Sequence, residues 1–405
     1  MPVLAQSVAE LASNPKVRAC LDWFRKERAW INDQHLKLCR IPAPTFFEQP
    51  RAEWMAERFR VLGWEAKLDR AGNVVANLPG RRTAGSVMVT AHLDTVFAPR
   101  TPEDIRVGND GRFLGPGVSD NGAGLVALLA LAAAWNSAPP LDDPPLSPIL
   151  VANVGEEGEG NLSGMRYLCR PGNGIKMKSF LVLDGPSVEH ITSRALGSRR
   201  FEVYITGPGG HSWRDYGVGN PIHALARAVA LFVEGAPDDI VPGGPRSTFS
   251  FGLIEGGSSI NSIPAEARVK LDLRSESGER IERLADRLAS AVEKAVDAEN
   301  ARSTGGRVIA RVKEIGSRPS GGLAEDAPIL EYLRAVDTHL GIRSQLDCSS
   351  TDANIPLSLG LPAVSIGTGG HGGGAHTAAE WFLPDGREIG LRRVLLALCL
   401  LLMSE

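Results

Sequence analysis

Histidine and acidic residues stand at the ends of four short apolar runs. SVMVTA at 86–91 leads into His92-Leu93-Asp94, PILVAN at 148–153 into Gly155-Glu156-Glu157, SFLVLD at 179–184 closes on Asp184, and PAVSIG at 362–367 precedes HGGGAHTAAEW with His376. A fifth segment, GVSDNG at 117–122, sets Asp120 just before a long apolar stretch. Carboxylates and imidazoles crowded together repel or compete for protons unless a cation lies among them, and this mixture of nitrogen and oxygen donors suits zinc, cobalt or manganese. Each residue alone has an ordinary explanation: a loop carboxylate for Asp94, a turn residue for Asp184, a solvated face for Glu156 and Glu157. Taken jointly, that explanation requires every run to end in such a residue by chance.

The runs are β-branched and apolar on both faces, as central strands of a parallel sheet are. Helical stretches separate them, the clearest being GAGLVALLALAAAW at 122–135, which is so uniformly apolar that it must be buried. The alternation predicts an α/β domain with a mostly parallel sheet and helices on both faces. Such a sheet binds its ligand beyond the carboxyl ends of its strands, which is where the residues above fall.

From about Gly197 to Arg311 the texture changes. RRFEVYIT at 199–206, STFSFGLI at 247–254, ARVKLDLR at 267–274 and RVIARV at 307–312 alternate polar and apolar residues, so one face of a second sheet is wet. Two helices fall between them. Asn220 caps the first, with Pro221 at its first position; the second runs from about Glu279 to Glu299 with an apolar stripe of Ile281, Leu284, Leu288, Ala291 and Val292. The order β-α-β-β-α-β is that of a ferredoxin-like α+β unit. The expected organisation is therefore a discontinuous domain of residues 1–196 and 312–405 with an inserted lid at 197–311.

Composition narrows the partners. With 44 Lys plus Arg against 47 Asp plus Glu in 405 residues, a net charge of -3, nothing draws the chain to nucleic acid or an acidic membrane, and a small-molecule partner is expected. The apolar run Val394 to Met403 is short of a membrane span and is expected as a buried terminal helix. Five scattered cysteines without CxxC spacing indicate neither disulfides nor a thiolate zinc site, and MPVLAQSVAELASNP has no secretory pattern, so a cytoplasmic location is expected. Glycine is in excess, at 45 residues, and concentrates around Asp120, the Glu156/Glu157 pair, His376 and two lid segments.

The segments HLDT, GPGVSDNGAG, GEEGEG and GAHTAAEW, with GPGGHSW and GGSSINSIP in the insert, resemble the M20-type dizinc metallopeptidases, the family of peptidase T, the glutamate-releasing carboxypeptidases, succinyl-diaminopimelate desuccinylase and acetylornithine deacetylase. The similarity spans nearly the whole chain in the right order. It implies an enzyme with two zinc ions per chain, cobalt or manganese being alternatives, and a lid that dimerises. Carried over, His92 and Asp184 hold one metal, Glu157 and His376 the other, and Asp120 bridges them. Asp94 orients the His92 ring, and Glu156 is the general base that serves a water shared by the two ions. His211, by residue type alone a loop histidine bonded to backbone, becomes by resemblance a group that reaches the dimer partner's site and stabilises the oxyanion.

Asn261 is expected to contact substrate and Arg274 to clamp a substrate carboxylate, an exposed arginine at a strand end being equally often solvated. His371 is expected as a loop or substrate-side group and His223 as a packing or cap-region residue. Asp352, in SSTDAN, either holds a substrate amine or caps the helix that follows. In the resembling family aspartate at the position of Asp184 is typical of aminopeptidases and dipeptidases, so with IPAPTFFE at 41–48 the resemblance implies short peptides with a free amino terminus. Removal of an N-acyl group from an amino acid and carboxypeptidase action remain alternatives within the family. A binding protein that keeps metal without catalysis, and a single-metal hydrolase, are the readings outside it.

Overall fold

Alternation along the apolar runs decides how the larger unit is layered. In the strand Gly85–His92, Val87, Val89 and Ala91 join one hydrophobic cluster while Met88 joins another, and Leu150, Ala152, Leu181 and Leu183 divide in the same way from Ile149, Val151, Phe180 and Val182. Side chains of a strand point alternately to its two faces, so a strand apolar at every position needs cover on both. The helices Pro15–Lys26, Gln49–Val61, Gly122–Ser137, Pro328–Leu340 and Arg387–Met403 supply residues to the first cluster; Ser163–Leu168 and Asn354–Ser358 supply the second. Every residue from Gly122 to Trp135 is buried, and the terminal helix Arg387–Met403 is largely buried too.

This computed structural model describes residues 2–80, 83–236 and 244–404. Its contacts separate into two units, Met1–Ala195 with Gly322–Glu405, and Leu196–Gly321. In the first, the strands Leu146–Asn153, Gly85–His92, Met177–Leu183 and Ala363–Ile366 lie side by side in that order and run parallel. The flanks of this mostly parallel sheet contain antiparallel pairs. Glu65–Leu68 and Val74–Asn77 form an antiparallel hairpin that continues antiparallel onto Leu146–Asn153, and His190–Ala195 runs antiparallel to Ala363–Ile366. Within the hairpin a short turn returns the chain beside itself in the opposite sense, whereas parallel neighbours need a long crossover. No helix among the described residues is long and apolar enough to cross a membrane.

The second unit is an antiparallel sheet in the order Ser247–Gly256, Glu266–Ser275, Gly197–Thr206, Ile309–Arg318, with the helices Pro221–Gly235 and Gly278–Arg302 joined to it through one core. Asn220 caps the first helix as expected, its side chain accepting from the N–H groups of Ile222 and His223. The last strand was expected at 307–312 but runs to Arg318, paired with Gly197–Thr206 as far as Ser198. Glycine and polar residues hid its second half, and the unit consequently ends at Gly321 instead of 311.

One buried cation ties the sheet to the helix beside it. Arg51, fully buried in the helix Gln49–Val61, donates from Nε and Nη2 to the Ile41 carbonyl at 3.0 and 2.7 Å and from Nη1 to the Leu93 carbonyl at 2.8 Å. Leu93 lies between His92 and Asp94, so this contact fixes the chain where the strand hands over to the rim. Arg51→Met keeps most of the volume and leaves two buried carbonyls without donors; it is expected to lower the unfolding free energy by about 3 kcal/mol. Arg25→Met, which removes only the exposed ion pair of Arg25 with Asp22, should change it by less than about 0.5 kcal/mol. Equilibrium urea unfolding checks both, and equal effects would refute the assigned role of Arg51.

Candidate metal centre

The rim residues leave the sheet at its carboxyl edge. His92 ends its strand, Asp184 follows Leu183, and Glu156 and Glu157 follow the strand Leu146–Asn153 after two residues. Asp120 precedes the helix Gly122–Ser137, whose cap Asn121 accepts from the Gly124 N–H at 3.0 Å. His92 Nε2 lies 3.1 Å from Asp120 Oδ1 and 3.9 Å from Asp184 Oδ1. His376 Nε2 lies 3.1 Å from Asp120 Oδ2 and 2.9 Å from Glu157 Oε1. Asp120 therefore turns one oxygen to each imidazole. His92 with Asp120 and Asp184, His92 with Glu156 and Glu157, and Asp120 with Glu157 and His376 each gather ligand atoms within 4.8 Å of one another.

Beneath the rim, buried acids hold its main chain. Asp94 accepts from the N–H groups of Glu156 and Glu157 at 3.0 and 2.9 Å and from the Thr45 hydroxyl at 3.0 Å. Its backbone carbonyl is 3.0 Å from His92 Nδ1, nearer than its carboxylate at 3.6 Å. Orientation of the ring thus falls mainly to the main chain, and the carboxylate grips the glutamate loop. Glu48 accepts from the Gly155 N–H at 3.1 Å, and Glu380 from the N–H groups of Gly117, Ser119 and Asp120 at 2.7, 2.7 and 2.8 Å. Arg387 donates to His35 Nδ1 at 2.7 Å, which leaves the ring proton on Nε2 for the Val118 carbonyl at 2.8 Å. Two glycines are obligatory here. Gly117 (φ +76°) and Gly155 (φ +66°) would set a β-carbon 2.5 Å from Thr95 Cγ2 and 2.2 Å from Ser163 Oγ.

Sequence reasoning missed Glu48, Glu380 and His35. Glu380 stood inside a quoted motif, but nothing in a lone glutamate's neighbours tells a buried anchor from a solvated one. Asp352 differs from the expected helix cap. The helix Asn354–Ser358 has no side-chain cap bond; Asp352 is buried and accepts from Asn153 Nδ2 at 2.6 Å.

Of the remaining candidates, His211, His223, Asn261 and Arg274 belong to the second unit and are described within it, and His371 belongs to the first. His211 is exposed, and its Nδ1 accepts from the backbone N–H groups of Trp213 and Arg214 at 3.2 and 3.4 Å. The strands Gly210–His211 and Ser262–Ile263 pair, and the Ser212 N–H donates to the Asn261 carbonyl at 3.0 Å, so His211 and Asn261 share one corner. Arg274 is ion-paired through Nε to Asp272 at 2.8 Å. His223 lies beside Asn220 and Arg302 at the helix start, and His371 is exposed on the short strand His371–Gly373.

Comparison with known proteins bears on the fold. Residues 195–300 match the family described as Peptidase dimerisation domain, and residues 73–202 match Peptidase family M28. A tripeptidase from Staphylococcus aureus superimposes with a TM-score of 0.73 at 20% identity over 92% of this chain and 98% of its own. An M20 family metallo-carboxypeptidase from Sulfolobus solfataricus gives 0.71 at 18% identity over 92% and 99%. The chain has the M20 peptidase fold. Among curated proteins, the uncharacterized protein YqjE of Bacillus subtilis is 24% identical over 353 residues, covering 83% of this chain and 89% of that protein.

In this M20 fold the electrostatics fit a cation. Four carboxylates, Asp120, Glu156, Glu157 and Asp184, share the rim with two imidazoles, so even with both rings protonated negative charge is in excess. Burial disfavours the charged form of His92, yet Asp120, Asp184 and Asp94 outweigh it and raise its pKa well above the ordinary value. Burial likewise opposes ionisation of Asp120, and the two histidines overcome it and hold its pKa low. Burial raises Glu157 and pushes Asp352 up to about 7. His376 is raised from 6.5 to about 9, chiefly by its hydrogen bond to Asp120 and further by Glu157, against some desolvation.

A pH effect follows for the metal-free protein. The folded pKa of His376 lies above the ordinary one, so the stabilisation from its pairing is complete below pH 6.5 and lost as the pH rises through about 9. Histidine NMR titration of metal-free protein should place the His376 midpoint near 9, and a midpoint near 6.5 would contradict the pairing with Asp120.

Proposed function

We propose that this chain is a metal-dependent peptidase that hydrolyses amide bonds in short peptides with a free amino terminus. The observation that carries the proposal is the placement of Asp120, one oxygen toward His92 and the other toward His376, which suits a carboxylate shared by two cations. His92 and Asp184 would hold one ion, Glu157 and His376 the other, with zinc, cobalt or manganese matching the donors. Bound there, divalent cations supply Lewis acidity toward the scissile carbonyl and lower the pKa of water.

The chain's own residues do the rest. Glu156, buried beside His92 and Glu157, takes a proton from the attacking water on its carboxylate and passes it to the leaving nitrogen. Asp94 keeps Glu156 in place through its backbone N–H. His211 and Asn261 would meet substrate from the lid, His211 through a homodimer formed by lid edges. Among the described residues the outer strands Ser247–Gly256 and Ile309–Arg318 present unpaired edges of the kind such an interface covers. Five free cysteines accord with a reducing, cytoplasmic setting.

The likeness to a tripeptidase and the aspartate at 184 support the aminopeptidase reading over N-acyl-amino-acid deacylation or carboxypeptidase action. The test is a matched panel of free tripeptides, dipeptides, N-acetylated and N-succinylated amino acids given to zinc- or cobalt-loaded protein. Free peptides should be cleaved fastest, and preference for the acylated compounds would overturn the substrate assignment. Glu156→Ala should retain metal and lose turnover by at least ~100-fold; near-wild-type turnover would remove the proposed base.

A further inference from the structure

Glu380 is 3% exposed and, among the described residues, has no ion-pair partner. A carboxylate in that position persists as an anion only where fixed donors replace water, and three backbone N–H groups do so. All three lie in the four-residue stretch that ends at Asp120. The main chain of Glu380 grips the residues just before that stretch, its carbonyl accepting from the Gly115 N–H at 2.9 Å. Directly after it, the strand Trp381–Leu383 pairs with Phe113–Leu114, with Trp381 opposite Leu114.

The opposite side of the stretch is held as well. The Val118 carbonyl meets His35 Nε2 at 2.8 Å and the Gly117 carbonyl faces Cys39 Sγ at 3.5 Å. Amides are thus taken by Glu380 and carbonyls by the helix Arg28–Cys39, so the stretch has little freedom to shift. Glu380 also stands four residues after His376, whose Nε2 meets Asp120 Oδ2 at 3.1 Å. One side chain therefore connects the segment bearing Asp120 to the segment bearing His376.

We infer that Glu380 is a positioning residue that sets Asp120 against His376 and thereby controls metal affinity at the place those two residues share. The inference rests on the proposal that the rim binds metal. Its chemistry is specific to a carboxylate of this length. Oε1 accepts from Ser119 and Asp120 while Oε2 accepts from Gly117, so an amide in its place turns an NH₂ group against an N–H on one side or the other. Aspartate keeps the charge and falls short by a methylene.

The experiment measures zinc affinity by competition with a chromophoric chelator, together with the melting temperature of the metal-free protein, for wild type, Glu380→Gln, His376→Ala and Leu395→Ala. Leu395 is fully buried in the terminal helix, within the main hydrophobic cluster, and serves as a destabilised control that bears no rim donor. Glu380→Gln should weaken zinc binding by about 10–100-fold, the usual effect of losing a group that supports a ligand. It should do so beyond any effect of Leu395→Ala, while KM for a cleaved peptide at saturating zinc stays unchanged. Affinity no lower than that of Leu395→Ala would overturn the inference. If Glu380→Gln yields no folded protein, Glu380→Asp decides, and wild-type affinity in that variant overturns the inference equally. His376→Ala tests the underlying proposal: wild-type affinity there would show that the rim is not the metal site, an outcome distinct from the failure of Glu380 alone.

Discussion

Negative charge crowded at the carboxyl edge of the sheet sets the terms for everything around it. Four carboxylates facing two imidazoles repel one another at close range, and such a group keeps its shape only if the main chain that bears it is fastened elsewhere. The fastening is itself done by acids. Asp94 holds the amides of Glu156 and Glu157, Glu48 that of Gly155, and Glu380 those of Gly117, Ser119 and Asp120. Amide N–H groups suit this task because they are strong donors at fixed positions and do not titrate. Positive-φ glycines let the loops come close enough for these contacts, and the parallel strands below give the loops a common edge from which to start.

The contacts of Asp94 and Glu380 also explain why the rim is assembled from distant pieces of sequence. His92, Asp120, Glu157, Asp184 and His376 come from five separate segments, and each segment's exit from the sheet or loop is fixed locally. Arg51 fixes the exit at Leu93, Asn121 caps the helix behind Asp120, and His35 takes the Val118 carbonyl. Donor atoms held in this way need little rearrangement to accept a cation, which is the physical basis of a preformed site.

Much of this was legible in the sequence, for identifiable reasons. Strands buried on both faces announce themselves as continuous apolar runs, and their ends then point to the rim without further information. The ferredoxin-like unit was legible from alternation and from Asn220-Pro221 at a helix start. What could not be read depends on partners far away in the chain. Glu48 and Glu380 look like any surface glutamate until the amides they hold are placed beside them, and Asp352 looked like a helix cap because its partner Asn153 lies on another strand. The second half of the strand Ile309–Arg318 escaped for a different reason: an exposed edge strand carries little hydrophobic signal, and pairing with Gly197–Thr206 decides its length. The antiparallel flanks of the main sheet carry little signal of their own, since Glu65–Leu68 and Val74–Asn77 are four residues each and His190–Ala195 mixes polar and apolar residues.

The proposed metal centre is tested most directly by anomalous diffraction from crystals grown with zinc, recorded on both sides of the zinc absorption edge. The account predicts two anomalous peaks on the rim, one against His92 and Asp184 and one against Glu157 and His376, with Asp120 reaching both. No peak among these residues, or zinc bound only elsewhere on the chain, would contradict it.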